Sequence, residues 1–211
     1  CGAKGDIFTI YQELYNYTFL DAVKELANRA GIKIDFERTS NYKENDKYIK
    51  ILEISAKWFE ENLNVENNLC IRYLHNRNLS NETIRAFRLG YSYNKDISLY
   101  EHLKSLSYTD EEILKSNVAK LDKNKNIKDF FYKRLIFPIT NINGKVVGFG
   151  GRVLDESNPK YINSPESNYF KKRDMLYNLN LAKNSARQKK NLLICEGYMD
   201  VISLYQNNIK S

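Results

Sequence analysis

The sequence predicts an α+β fold in which a helical N-terminal part precedes a β-hairpin and then the first strand and helix of an α/β sheet. Apolar residues recur at helical spacing through most of residues 6–120. Asn143-Gly144 lies between two apolar runs, which is the strongest short-range signal of a β-hairpin. The apolar run 191–195 leads through Gly197 into a helical pattern, as in the strand–turn–helix units of α/β sheets.

Two short helices are predicted within residues 6–30. Asp6 and Thr18 are suitable N-caps for them, and Gly31 can end the second helix. The run 37–46 is polar and has no periodicity. We therefore expect it to be a linker between this helical pair and the rest of the chain.

The remaining chain changes character near residue 133. Residues 47–132 are expected to be a helical scaffold without chemistry of its own, and residues 133–178 to be β-rich and basic. Pro138 interrupts the first strand of the hairpin, which predicts an edge strand or a bulge. A helix is expected over 179–187.

The charge of the chain is concentrated in one stretch. The 211 residues hold 33 Lys+Arg and 26 Asp+Glu, a net charge of +7, but residues 121–190 alone hold 15 and 6. Aromatic residues are interleaved with these cations, as in grooves that bind single-stranded nucleic acid. The alternative is that the aromatic rings fill a core and the lysines only solvate it. The rings concerned are Phe130, Phe131, Tyr132, Phe137, Phe149, Tyr161, Tyr169, Phe170 and Tyr177.

Several classes of protein are not expected. The sequence contains no run of roughly 18 apolar residues that could span a bilayer. No charged-then-apolar leader begins it, and three scattered cysteines are too few for a disulfide framework. We therefore expect a cytoplasmic protein that does not associate with membranes.

A first candidate site is the run LLICEGYMDV, residues 192–201. Glu196 follows a predicted strand and precedes a glycine and a helix, which places its carboxylate at the edge where α/β sheets bind ligands. Such a carboxylate can bind a divalent metal or act as a general acid or base. Asp200 follows four residues later and could help to orient the metal. The alternative is a first-turn glutamate favoured by the helix dipole.

A second candidate site joins Lys133-Arg134 to the run Gly148-Phe149-Gly150-Gly151-Arg152 through the hairpin. The glycines could let backbone groups approach a phosphate. Arg134 and Arg152 are expected to flank the two strands and to face the same groove. The alternative is a twisted hairpin whose glycines serve only bulges.

A third candidate site is the loop PKYINSPES with the following YFKKR, residues 159–173. Two prolines favour an extended, turn-rich segment. Its cations and amides could bind nucleic acid, although a solvated loop is the simpler interpretation. The side chains concerned are Lys160, Asn163, Ser164, Lys171, Lys172 and Arg173.

Together these motifs resemble bacterial DNA primases of the DnaG type. The matching runs are KRLIFPI, GKVVGFGGRVL, PKYINSPES, LYNLNLA and LLICEGYMDVI. Residues 1–36 are similar to the end of that family's zinc-binding domain and its linker helices. The resemblance implies that residues 47–178 form the N-terminal subdomain of the RNA polymerase core, with a primase-specific β-hairpin. Residues 179–211 would begin a Toprim fold, the family's α/β metal-binding fold.

The resemblance also implies roles for individual residues. Glu196 would bind catalytic Mg²⁺ or Mn²⁺, and Asp200, Arg134 and Arg152 would belong to the catalytic core. Cys1 matches one zinc ligand of an incomplete site. The residues that would contact template or nucleotide are Lys133, Lys160, Asn163, Lys171, Lys172 and Arg173.

The implied activity is the synthesis of RNA primers on single-stranded DNA from ribonucleoside triphosphates. The resemblance further implies a replicative helicase as a partner, through a region that the sequence does not include. The later Asp-x-Asp pair of the Toprim fold is also outside the sequence, so we expect a fragment that is inactive alone. Another Toprim enzyme, such as a topoisomerase or nuclease, and a non-catalytic single-stranded DNA-binding module are the alternatives.

Overall fold

The computed structural model describes residues 5–15, 17–32, 40–64, 69–93 and 97–209. The chain divides into two compact units between Lys43 and Glu44. The helices are α1 (Ile7–Tyr15), α2 (Phe19–Arg29), α3 (Ser40–Leu63), α4 (Leu69–Asn76), α5 (Asn81–Ala86), α6 (Leu99–Ser105), α7 (Asp110–Lys115), α8 (Leu179–Lys189) and α9 (Tyr198–Gln206). The strands are β1 (Gly90–Ser92), β2 (Ala119–Leu121), β3 (Ile127–Asp129), β4 (Arg134–Thr140), β5 (Val146–Val153) and β6 (Tyr161–Asn163).

The first unit contains the two predicted short helices. Asp6 Oδ1 accepts a hydrogen bond from the backbone N–H of Thr9 at 2.9 Å. Thr18 and Asp21 form a reciprocal capping box at the start of α2. Gly31 follows α2 with a φ of +67°, a left-handed conformation that ends helices and favours glycine. The predicted caps and stop are therefore confirmed.

The expected linker, 37–46, contains the boundary between the two units, but from Ser40 onward it is helical, because α3 begins there. Residues 37–39 lie outside the described residues. Lysine and glutamate are good helix formers, and a solvated helix end needs no apolar periodicity. The lack of periodicity therefore did not exclude a helix.

The second unit is built on a four-stranded antiparallel sheet in the order β1-β4-β5-β6, with a helical layer on each face. On one face, Ile136 and Phe149 pack with residues of α3, α6 and α7, among them Phe59. On the other face, Leu135 and Phe137 pack with residues of α4, α5 and α9. The predicted α+β class is confirmed.

Three short strands interrupt the segment 47–132 that was expected to be helical. β1 pairs with the start of β4, and β2 pairs with β3 in a separate two-stranded hairpin. Each of the three has three residues, which is too few for an alternating pattern to stand out in the sequence. These strands therefore form because they pair with neighbouring strands, and not because of a pattern in their own sequence.

Pro138 lies in an inner strand rather than in an edge strand. Phe149, which lies opposite Pro138, directs its carbonyl oxygen away from β4 toward the amide of Ser164. Pro138 and Phe149 are therefore a non-hydrogen-bonded pair, and the nitrogen of Pro138 faces the side of β1. Since β1 ends at Gly90, opposite Ile136, the ladder needs no amide at Pro138. The bulge that proline also suggested occurs just after it, between Ile139 and Thr140.

The strand predicted at 191–195 is absent, since these described residues have no strand assignment. Leu193 is 52% exposed and Ile194 is 69% exposed. A strand is defined by its ladder of hydrogen bonds to a neighbour, and no described strand pairs with this run. The helix predicted after Gly197 is present as α9, and the helix predicted over 179–187 as α8.

Among the described helices, none has the length and apolar character that crossing a membrane requires.

Candidate functional site

A cleft of about 250 Å³ lies in the second unit, beside the face of the sheet that α9 covers. Asn163 lines it from the end of β6, Lys172 from a 3₁₀ turn, and Glu196 from the residues before α9. Three predicted site residues from two of the candidate motifs therefore meet in one cleft. A carboxylate, an ammonium group and an amide around one space can bind a ligand that combines phosphates with a cation.

Glu196 and Asp200 are the two acidic residues at the start of α9. Glu196 and Asp200, the latter in the first turn of the helix, are both exposed. A Cβ atom at Gly197 would lie 2.8 Å from Asp200 Oδ2, so glycine leaves room for that carboxylate. Within the described ranges, no group of three or more His, Cys, Asp and Glu side chains could hold a metal ion.

Tyr198 joins the start of α9 to the sheet, and the sequence motifs did not single it out. Its hydroxyl donates a hydrogen bond to Asn163 Oδ1 at 2.7 Å. Its ring stacks on Phe137 of β4, with centroids 5.0 Å apart. Burial raises the pKa of Tyr198 to about 12. The sequence signal was the glycine run in β5, because Gly150 is the position that this ring covers.

The glycines of β5 make room for side chains, so the structure does not support their expected approach to a phosphate. A Cβ at Gly150 would come within 2.7 Å of the Tyr198 ring, and a Cβ at Gly151 within 2.6 Å of the Phe131 ring. These rings lie on opposite faces of the sheet, because consecutive residues of a strand point in opposite directions. The glycines therefore allow both layers to pack closely on β5.

The expectation that Arg134 and Arg152 face one groove is wrong. Arg134 pairs with Val153 and Leu135 pairs with Arg152, so the two arginines point to opposite faces of the sheet. The two arginines are one position apart in the antiparallel register, and this difference is enough to place their side chains on opposite faces.

Arg134 is buried, with 8% of its surface exposed. Its Nη1 donates to the carbonyl oxygens of Gly151 at 3.3 Å, Pro159 at 3.0 Å and Lys160 at 3.4 Å. Burial lowers the pKa of this guanidinium, although arginine remains charged in proteins. Arg134 thus connects β5 to the loop before β6, and its catalytic role stays a prediction.

Arg152 lies on the same face of the sheet as Asn163 and is held between two tyrosines. Its guanidinium carbon is 4.9 Å from the ring centroid of Tyr73 and 5.3 Å from that of Tyr161. Its Nη1 donates to the Tyr161 hydroxyl at 2.8 Å. Arg77 contacts the same Tyr73 ring at 5.5 Å, so the structure places next to Arg152 a second cation that the sequence motifs missed.

The remaining predicted template-binding or nucleotide-binding cations are exposed. Lys171 and Arg173 flank Lys172, and Arg173 pairs with its neighbour Asp174 at 3.5 Å. Lys160 lies in the loop before β6, outside the cleft lining. Lys133 precedes β4 at a bend. Cys1 lies outside the described residues, so its expected zinc role is not described by the structure.

A second concave surface, here called the hairpin surface, has a cavity of about 650 Å³ beside β2 and β3. Lys120 lies 5.2 Å from the ring centroid of Phe130, which with Tyr132 lines the cavity. Tyr132 is 58% exposed, and the ammonium group of Lys133 lies 5.3 Å from its ring. Phe130 is half-buried, whereas an exposed aromatic face such as that of Tyr132, beside a cation, is suited to a stacked base and its phosphate.

One protein family matches this chain over more than half of its length. Residues 58–183 match the family model of the N-terminal domain of the DNA primase catalytic core. A DNA primase from Clostridium acetobutylicum is 40% identical over 216 residues, which cover 100% of this chain and 36% of that relative. The chain thus spans about a third of the length of the curated relatives it matches.

Two solved structures share the fold. The zinc-binding and RNA polymerase domains of Aquifex aeolicus primase match with a TM-score of 0.70 and 30% identity, over 100% of this chain and 51% of that one. A DnaG primase catalytic domain bound to single-stranded DNA matches with a TM-score of 0.71 and 30% identity, over 80% of this chain and 55% of that one. With the family model and the motifs around the cleft, these matches show that the chain belongs to the DNA primase catalytic-core family.

Proposed function

We propose that this chain is part of a DNA primase, a nucleotidyltransferase that copies single-stranded DNA into short RNA primers during replication in the bacterial cytoplasm. The observation that carries the proposal is the cleft in which Asn163, Lys172 and Glu196 meet. Family membership supports the same reaction class. We propose that the cleft binds a ribonucleoside triphosphate near the end of the growing primer.

The acidic residues fit a divalent cation. Glu196 lines the cleft wall with its side chain exposed, and carboxylate oxygens are the ligands that Mg²⁺ and Mn²⁺ prefer. Glu196 would therefore hold the cation, and Asp200 would support it from the next turn. When bound, such a cation neutralises phosphate charge and favours ionisation of an attacking hydroxyl.

The cations around the cleft would position phosphates. Lys172 lines the cleft itself, and Lys171 and Arg173 extend its positive charge outward. Arg152 is pre-organised by two tyrosine rings on the sheet face that carries Asn163. Because phosphoryl transfer depends mainly on position and charge, these residues need no covalent role.

We propose that the hairpin surface binds the template. It offers Phe130 and Tyr132 to bases, and Lys120 and Lys133 to phosphates. A similar catalytic domain was solved with single-stranded DNA bound, which supports this class of ligand. Lys160 is a further phosphate contact in this proposal. The RNA primer, the replicative helicase and zinc remain expectations from the family resemblance.

The test is primer synthesis by the full-length primase that contains this chain. We expect Glu196→Gln to lower the rate about 100-fold or more, because it removes charge where phosphates react. We expect Lys172→Ala to weaken ATP binding, and we expect the logarithm of the ATP affinity to fall less steeply with the logarithm of the salt concentration, because a charge that salt screens has been removed.

Lys57→Ala is the matched control for Lys172→Ala. Lys57 has a side chain that is 77% exposed on α3, and it does not line the cleft. Its loss removes the same charge, so primer synthesis and the salt slope should stay unchanged. Full activity of Glu196→Gln, or equal slopes for both lysine variants, would contradict the proposal.

A further inference from the structure

The segment that precedes Glu196 does little to fix the position of the Glu196 carboxylate. Residues 191–195 have no strand partner among the described residues, and Ile194 is 69% exposed. Two residues after Glu196, Tyr198 is the first side chain of α9 that reaches the sheet. Its hydroxyl bonds to Asn163, so it spans from the acidic side of the cleft to the amide side.

The ring of Tyr198 is held from several directions. It stacks on Phe137 at an interplanar angle of 12° and meets the edge of Tyr177, with centroids 4.6 Å apart. Gly150 lies beneath it, with no space for a Cβ. A ring packed in this way has one orientation, and its hydroxyl is therefore directed at one place.

The hydroxyl is suited to hydrogen bonding and not to proton transfer. A tyrosine hydroxyl ionises only at a pH of about 10, so it is protonated near neutral pH and can donate a hydrogen bond. Because it donates to Asn163 Oδ1, the amide nitrogen is the group that Asn163 can offer to a ligand. Without this bond the amide could rotate and present its oxygen, which would repel a phosphate.

We propose that Tyr198 is a positioning residue for nucleotide binding. Its hydroxyl orients Asn163 so that the amide nitrogen donates to a phosphate oxygen of the nucleoside triphosphate. Its ring holds Glu196 at a set place across the cleft. The inference rests on the proposed function of this cleft. A tyrosine that served packing alone would need its ring but not its hydroxyl.

The test measures the dissociation constant of ATP with Mg²⁺ for full-length primase by isothermal titration calorimetry. Tyr198→Phe keeps the ring and removes one hydrogen bond, so we expect ATP binding to weaken about three- to tenfold. Asn163→Ala should also weaken binding. The double variant should bind as Asn163→Ala does, because the hydroxyl acts only through that amide.

Tyr205→Phe is the control, because it removes a hydroxyl from the same helix where the ring packs on Phe87. It should bind ATP as the unchanged protein does. If Asn163→Ala binds ATP normally, both the nucleotide role of the cleft and this inference fail. If only Tyr198→Phe binds normally, or if the two losses multiply, the inference alone fails. A lower melting temperature of Tyr198→Phe with unchanged ATP binding would assign Tyr198 to packing and overturn it.

Discussion

At the scale of single residues, the two arginines of the hairpin show how one position in a strand separates a structural role from a surface role. Arg134 lies in β4 and Arg152 in β5, the two strands of the predicted hairpin. Arg134 donates to three carbonyl oxygens on one face of the sheet. Arg152 lies between two tyrosine rings on the other face. Residue type alone could not distinguish them.

We expect Arg134→Met to lower the free energy of unfolding by about 2–3 kcal/mol, because carbonyl oxygens in a buried environment lose their donor. Urea unfolding monitored by circular dichroism checks this value. Arg173→Met, at an exposed position, should change stability by less than about 0.5 kcal/mol. Equal stability of the two variants would show that the bonds of Arg134 contribute little.

At the scale of elements, the contact between β5 and α9 places the cleft. Gly150 lets the Tyr198 ring lie directly on the strand, and α9 brings Glu196 beside Asn163. The β4–β5 hairpin and the acidic motif therefore contribute to the same cleft, although about 45 residues separate them in the sequence.

We expect Gly150→Ala to destabilise the protein by about 1–3 kcal/mol, because its Cβ would overlap the Tyr198 ring at 2.7 Å. The cost should be much smaller in a Tyr198→Leu background, where a smaller side chain can move aside. Thermal and urea unfolding of both single variants and the double variant measure this coupling. The same cost in both backgrounds would mean that the ring does not require glycine.

At the scale of the whole molecule, the basic and aromatic residues divide between two concave surfaces and the core. Phe131, Phe137 and Phe149 are buried, whereas Tyr132 is exposed beside Lys133. The charge pattern indicated a nucleic-acid surface. The alternative interpretation, in which the aromatic rings fill the core, is correct for these three phenylalanines. The hairpin surface and the cleft are separate candidate sites.

We expect two substitutions on the hairpin surface to weaken binding of single-stranded DNA in different ways. Lys120→Gln should reduce the salt slope by about one, because it removes a phosphate contact. Tyr132→Leu should cost about 1–3 kcal/mol through lost stacking and leave the slope unchanged. Fluorescence anisotropy of a labelled oligonucleotide in full-length primase, at several salt concentrations, distinguishes them.

Tyr93→Leu removes another exposed tyrosine, one that stacks on Tyr91 and does not line the hairpin surface, and it should bind DNA normally. Equal binding by all three variants would place the template elsewhere.

Local features were predictable because their physics is local. The N-cap of Thr18, the N-cap of Asp6 and the Asn143-Gly144 hairpin depend on residues within a few positions of one another. Gly144 adopts a φ of +79° in that hairpin. The strand predicted over 191–195 was wrong for the opposite reason. An apolar run forms a β-strand only when a neighbouring strand pairs with it.

The sequence by itself determined the α+β class, the family and the concentration of positive charge, and it predicted Asn163, Lys172 and Glu196 as candidate site residues. These follow from composition and from motifs that are contiguous in the chain. Only the tertiary structure decided that Arg134 is buried beneath the sheet, that Gly150 serves Tyr198, and that Arg77 joins Arg152 through Tyr73. Each of these depends on strand register and on helix packing between distant segments, where a shift of one residue moves a side chain to the opposite face.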